Sequence, residues 1–149
     1  MNASLRPFTR SLPMALMRAR ESVMRHFRPK LQAANLTEQH WRTLRALGHG
    51  EEMEATRLAA ATFLLAPSLT RILRDLETRG LVLRRAGPRD ARVALIKLSP
   101  EGATLLRELG AHSERIYSAI EARLGRERLN ALMQELSSVA LDLQAPLDL

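Results

Sequence analysis

A run of two short helical segments, an arginine-dense hairpin and a restarting helix predicts a mainly α-helical fold with a small β wing. Three observations carry this. Residues 66–79 place Leu69, Ile72, Leu73 and Leu76 on one helical face. Residues 81–98 read as two short strands about Gly87-Pro88-Arg89-Asp90, a hairpin turn by composition. Hydrophobic residues make up 46% and aromatics only 3%, so Leu, Ala, Val, Ile and Met must build the core, a palette that favours helix. Helix, helix, basic hairpin is the order of a winged helix-turn-helix. At 149 residues the chain is expected to form a single domain, 1–149, with six helices.

Residues 1–10 read as an irregular arm. From Ser11 to about Ala34, Leu12, Leu16, Ala19, Val23, Phe27 and Leu31 recur every three or four residues, the spacing of one helix face. Asn35 ends that segment, and Thr37 opens the next as an N-cap. The second helix runs to about Leu47, with Leu36, Trp41 and Leu44 expected inside; Gly48 and Gly50 break it. A short helix is expected from Met53 to Ala61, and another from Ala66 to Arg79. Pro67 sits in the first turn of the latter, where its missing N–H costs nothing, and Gly80 stops it. Strands follow over Leu81–Ala86 and Arg92–Leu98. Ser99 caps a long helix that has Pro100 at its first position and runs to about Leu124. Gly125 separates it from a last helix, about Glu127 to Leu143.

The formal net charge is +7 and the sequence pI about 11.2, which points to a polyanionic partner. The cations are 21 Arg against two Lys, and Arg offers a planar fork for phosphates and guanine edges. With no cysteine there are no disulfides, thiol sensors or cysteine zinc sites. No apolar run approaches the roughly 18 residues that span a bilayer, and the stretch after Arg10 is too short for a signal peptide. No membrane contact is expected, and the cytoplasm is the expected compartment. His26, His40, His49 and His112 lack metal-ligand spacing, and there is no phosphate-binding glycine loop or nucleophile triad. Neither catalysis nor a cofactor is expected.

The segments 11–34 and 100–143 carry more apolar surface than a chain with a DNA-reading lobe at its centre can bury. Leu105, Leu109, Ile116, Ile120, Leu129, Leu132, Leu136 and Val139 need partners. A homodimer supplies them, and a helix-turn-helix normally reads two half-sites; an intramolecular three-helix core is the alternative. Within the lobe (about 37–98), the face opposite the leucines presents Ser68, Thr70, Arg71 and Arg74 to double-stranded DNA. The hairpin brings Arg84, Arg85, Arg89, Arg92 and Lys97 against one acid, Asp90. A wing along a phosphate backbone needs that density of charge, and Asp90 is spaced to hold the Arg92 guanidinium.

The stretch RLAAATFLLAPSLTRILRDLETRGLV, followed by DARVALIKLSPEG, resembles the MarR family of winged-helix transcription regulators. Asp90, Arg92, Leu98, Ser99 and Gly102 fit the family's Asp-x-Arg, apolar strand, Leu-Ser/Thr, x-x-Gly pattern in order. The resemblance covers about residues 11–143. It implies an intertwined homodimer with interlocking terminal helices and two winged lobes on a pseudo-palindromic operator, Arg92 reaching the minor groove. Ala66 departs from the polar or basic residue often found at the start of the family's recognition helix, and the turn Thr62-Phe63-Leu64-Leu65 is unusually apolar.

The N-terminal part, with Ala19-Arg20-Glu21, Phe27-Arg28-Pro29 and Leu36-Thr37-Glu38-Gln39 before Trp41-Arg42, is similar to a MarR subgroup around the regulator of homoprotocatechuate degradation. That similarity implies a repressor released by a small aromatic acid: a hydroxylated benzoate, phenylacetate, cinnamate or pyridine carboxylate. The residues themselves agree. Arg20 lies on the apolar stripe of its helix, near Met17, and needs a carboxylate, either an effector's or a Glu or Asp across a dimer interface. Trp41 offers a flat wall, or simply core, and His26, His40 and Arg45 are nearby polar candidates. The same basic surface would also serve a non-specific architectural DNA binder without an effector.

Overall fold

A computed structural model describes residues 6–147. Among them are seven α-helices, a single 3-10 turn at Phe8–Arg10 and one antiparallel sheet. The chain divides into two compact units, Met1–Ala111 and His112–Leu149. Among the described residues, no helix is long and apolar enough to cross a membrane.

The first unit opens with α1 (Leu12–Met24) and α2 (Arg28–Ala33) where one helix is expected over 11–34. Pro29 explains the break. It stands in the first turn of α2, and its ring and missing N–H would disrupt an uninterrupted helix at that point. His26 and Phe27 instead close tighter turns onto the carbonyls of Val23 and Met24. This break makes the helix count seven rather than six. Helix α1 buries no residue, so Leu12, Leu16 and Val23 stay exposed, whereas Phe27 and Leu31 are in the core.

Helix α3 (Glu38–Ala46) starts on a capping box. The Thr37 hydroxyl accepts from the His40 N–H at 3.2 Å, and His40 Nδ1 accepts from the Thr37 N–H at 3.1 Å. Leu36, Trp41, Leu44 and Leu47 are buried. The expected helix from Met53 is preceded by a two-residue strand, β1 (Met53–Glu54), and becomes α4 (Ala55–Thr62). Helix α5 (Ala66–Thr78) buries Leu69, Ile72, Leu73 and Leu76, the face its spacing predicts. Strands β2 (Val82–Ala86) and β3 (Ala94–Leu98) form the hairpin, with Arg84 opposite Ile96. Because Met53 pairs with Ile96 on the other edge of β3, the wing is three-stranded in the order β1-β3-β2.

Three helix ends close in the same way. A residue with positive φ is followed by one whose N–H reaches back five residues: Asn35 before Leu36→Leu31, Phe63 before Leu64→Ala59, and Gly80 before Leu81→Leu76. Asn and Gly are the residues that tolerate this conformation; a bulky L-residue there costs roughly 1–2 kcal/mol. Phe63 is the exception among them.

Helix α6 (Pro100–Leu124) begins in the first unit and ends in the second. Ser99 Oγ accepts from the Gly102 N–H at 2.9 Å and donates to the Gly80 carbonyl at 2.5 Å. A Cβ on Gly102 would stand 2.0 Å from the Leu81 carbonyl oxygen, so only glycine fits there. The Ser-x-x-Gly pattern is therefore a lock between the start of α6 and the root of β2. In the second unit, α7 (Arg126–Asp142) follows Gly125 and has no buried residue.

Candidate nucleic-acid interface and effector region

The outward face of α5 begins at its first turn, which Pro67 and the Leu65 N-cap set without any side-chain cap. Ser68 is half-buried; Thr70, Arg71 and Arg74 are exposed. The Thr70 hydroxyl donates to the Ala66 carbonyl at 2.9 Å, so it offers DNA its lone pairs rather than its proton. Arg71 and Arg74 form no ion pair among the described residues. Arg84 on β2 joins Ala66 and Thr70 in lining a cleft of about 90 Å³ between α4, α5 and the wing. Reading helix and wing thus meet at this cleft, and both carry exposed arginines.

At the hairpin turn, Asp90 Oδ1 accepts from the Arg92 backbone N–H at 2.9 Å and from its Nε at 3.3 Å. The first is an Asx turn that shapes the tip, and the second aims the guanidinium. Arg92 is 92% exposed. Arg89 is exposed beside it. Arg85 behaves differently: it makes a two-pronged bond to Glu52, at 2.7 and 2.6 Å, tying β2 to the segment before β1. Those hydrogen bonds lower the Glu52 carboxyl and raise the Arg85 guanidinium from their ordinary values. The sequence hides Glu52, because β1 becomes the wing's third strand only through pairing with a segment some forty positions away.

The candidate effector residues lie in the first unit. Arg20 Nη2 donates to Glu38 Oε2 at 2.5 Å, and Arg28 Nε donates to Glu38 Oε1 at 2.5 Å. Arg28 also bonds both oxygens of Glu21, at 2.8 and 2.7 Å. The result is a four-residue network joining α1, α2 and the first turn of α3. The sequence left Arg20 a carboxylate from an effector or from across an interface; the structure supplies Glu38 of the same chain. Burial alone would raise the Glu38 carboxyl, but the hydrogen bonds from Arg20 and Arg28 outweigh it and hold it below its ordinary value. Glu38, Glu21 and Arg28 were not read as site residues. Their one sequence signal is that all three stand in the segments that carry the subgroup similarity.

Trp41 is 5% exposed, and the Arg45 guanidinium stands over its ring, 5.9 Å from the centroid. His40 is occupied at both nitrogens: Nδ1 in the cap of α3, and Nε2 3.1 Å from Asp75 of α5. Arg79 completes that link, bonding Asp75 at 3.6 Å and the carbonyls of Asn35 and Ala34. Met17 on α1 and His26 in the following turn are exposed.

An amphipathic reading helix flanked by an arginine-bearing three-stranded wing defines a winged helix-turn-helix DNA-binding protein. A profile described as MarR family matches residues 34–93. The FarR transcriptional regulator of Neisseria gonorrhoeae is 41% identical over 130 residues, covering 87% of this chain and 89% of that protein. The homoprotocatechuate degradative operon repressor of Escherichia coli is 41% identical over 122 residues, 82% of each chain. Among solved structures, NadR in complex with 4-hydroxyphenylacetate superposes with a TM-score of 0.78 at 41% identity, covering 87% of this chain and 95% of that one. The chain belongs to the MarR family of transcriptional repressors.

Proposed function

We propose that the protein is a homodimeric repressor that binds a pseudo-palindromic operator and releases it on binding a small aromatic or heteroaromatic carboxylic acid. The observation that carries the DNA half is the set of exposed cations on the reading helix and the wing: Arg71 and Arg74 on α5, Arg84 on β2, and Arg89 with the Asp90-aimed Arg92 at the wing tip. Ser68 and Thr70 supply short polar groups for base edges. The apolar faces left open on α1 and α7 support a dimer, and a dimer matches two half-sites.

Support for an aromatic acid comes from two relatives at the same identity: the repressor of a homoprotocatechuate operon and NadR solved with 4-hydroxyphenylacetate. In this chain Arg45 stands over the buried Trp41 ring, one helix turn beyond the Thr37–His40 cap beside Glu38. Arg20 engages an effector by exchanging Glu38 for the ligand's carboxylate, with the exposed Met17 and His26 on the same stretch of chain. Such a ligand releases DNA only if it prefers the non-binding conformation.

The test measures affinity for the promoter beside the protein's own gene against random duplex at fixed salt, with and without hydroxylated benzoates, phenylacetates, cinnamates and pyridine carboxylates. A specific site should bind roughly 10³-fold or more tighter than random DNA, and one acid class should abolish the difference. A ratio near one would instead identify a non-specific architectural binder.

A further inference from the structure

We propose that Phe63, with Leu65 beside it, is a DNA-facing apolar contact that reads a thymine methyl group in the major groove next to the first turn of α5. This deepens the operator-binding reading and rests on it. Phe63 is 91% exposed and Leu65 78%, in a lobe whose other large apolar side chains are mostly inside. The exposure is set by their neighbours. Thr62 is buried with its hydroxyl donating to the Leu58 carbonyl at 2.6 Å, and Leu64 is half-buried, so the residues between and after them face outward.

The backbone adds an independent observation. Phe63 holds φ at 53° in a helix closure of the kind that Asn35 and Gly80 make elsewhere in this chain. A phenyl group placed in a conformation that suits Asn or Gly, and then left in solvent, improves neither folding nor solubility; strain of this kind gathers at functional sites. The location says which function. Leu65 is the N-cap of α5, and the next two residues, Ala66 and Pro67, have no hydrogen-bonding side chain. Ala66 shares a cleft with Arg84 of the wing, and Arg71 and Arg74 follow on the exposed face. An apolar tip immediately before a helix whose exposed face carries Arg71 and Arg74 fits a polyanion that carries its own apolar spots. In duplex DNA the thymine 5-methyl is that spot in the major groove.

The experiment uses the full-length protein and an operator obtained by selection from random duplexes. Each thymine is replaced in turn by deoxyuridine, which removes only the methyl group. For the wild type, one replacement per half-site should weaken binding by roughly threefold to fivefold, the worth of one buried methyl. Phe63→Asn suits the positive φ, so its melting temperature should be no lower than wild type, and it should bind thymine and uracil operators equally. Indifference of the wild type to every replacement overturns the proposal, as does unchanged discrimination by F63N. A change of oligomeric state in F63N with discrimination intact assigns the tip to a protein contact and likewise overturns it. If selection yields no sequence preference at all, the operator reading falls together with this one; a clear operator that is blind to uracil removes only the thymine contact.

Discussion

Arg92 and Arg85 stand seven positions apart in a hairpin that reads as uniformly basic, and the structure separates their roles. Arg85 is committed to Glu52, whereas Arg92 is almost fully exposed and oriented from behind by Asp90. Exposed ion pairs add little to stability, so the Asp90 contact matters as aim rather than as energy. Arg92→Ala should therefore leave the melting temperature unchanged and weaken operator binding by about 1–3 kcal/mol. It should also lower the slope of log affinity against log salt by roughly one for each lost phosphate contact. A titration series across salt concentrations checks both, and an unaltered slope and affinity would remove Arg92 from the interface. Asp-x-Arg spacing made the Asp90–Arg92 contact legible in the sequence. What was not legible is that Arg20 meets Glu38, 18 positions away, because nothing in the spacing of two charges on different helices shows whether the intervening turn brings them together.

The contact that links elements most economically is His40. It completes the cap of α3 through Nδ1 and reaches α5 through Asp75. Burial pushes its pKa below the ordinary 6.5; the Asp75 carboxylate opposes this and Arg79 reinforces it. The folded protein thus takes up a proton here less readily than the unfolded chain. Stability is full above 6.5 and falls as the pH drops below it, where Nδ1 gains a proton and can no longer accept from Thr37. His40→Gln keeps a capping acceptor without the titration. Melting curves from pH 7.5 to 5.5 should show the wild type losing stability relative to H40Q; parallel curves would exclude His40 as the cause. At this scale the sequence was most readable where periodicity is local. The buried face of α5 and the Ser99 cap follow from spacing alone. The apolar period running through 11–34 masked the stop imposed by Pro29, since Phe27 and Leu31 continue the stripe although the helix does not. Strand β1 is too short to show a period and exists only by pairing with β3.

For the whole molecule, the open question posed by the fold is where the apolar surface goes. Leu132, Leu136, Leu141 and Leu143 are 40–65% exposed, as are Leu12 and Leu16 at the other end of the chain, at 54% and 42%. Apolar area taken from water is worth roughly 25 cal/mol per Å². Light scattering at micromolar concentration should give twice the mass of one chain, and Leu132→Glu with Leu136→Glu should halve it; a wild-type monomer would overturn the dimer. Gly102 has a different kind of reach. Since no side chain fits against the Leu81 carbonyl, any substitution there must push α6 away from the root of the wing. A genetic screen for lost repression would then score this position as intolerant as any base-reading arginine. Its intolerance would measure the closeness of two backbones, and a map of the protein drawn from such a screen would place a contact residue where there is no side chain to make a contact.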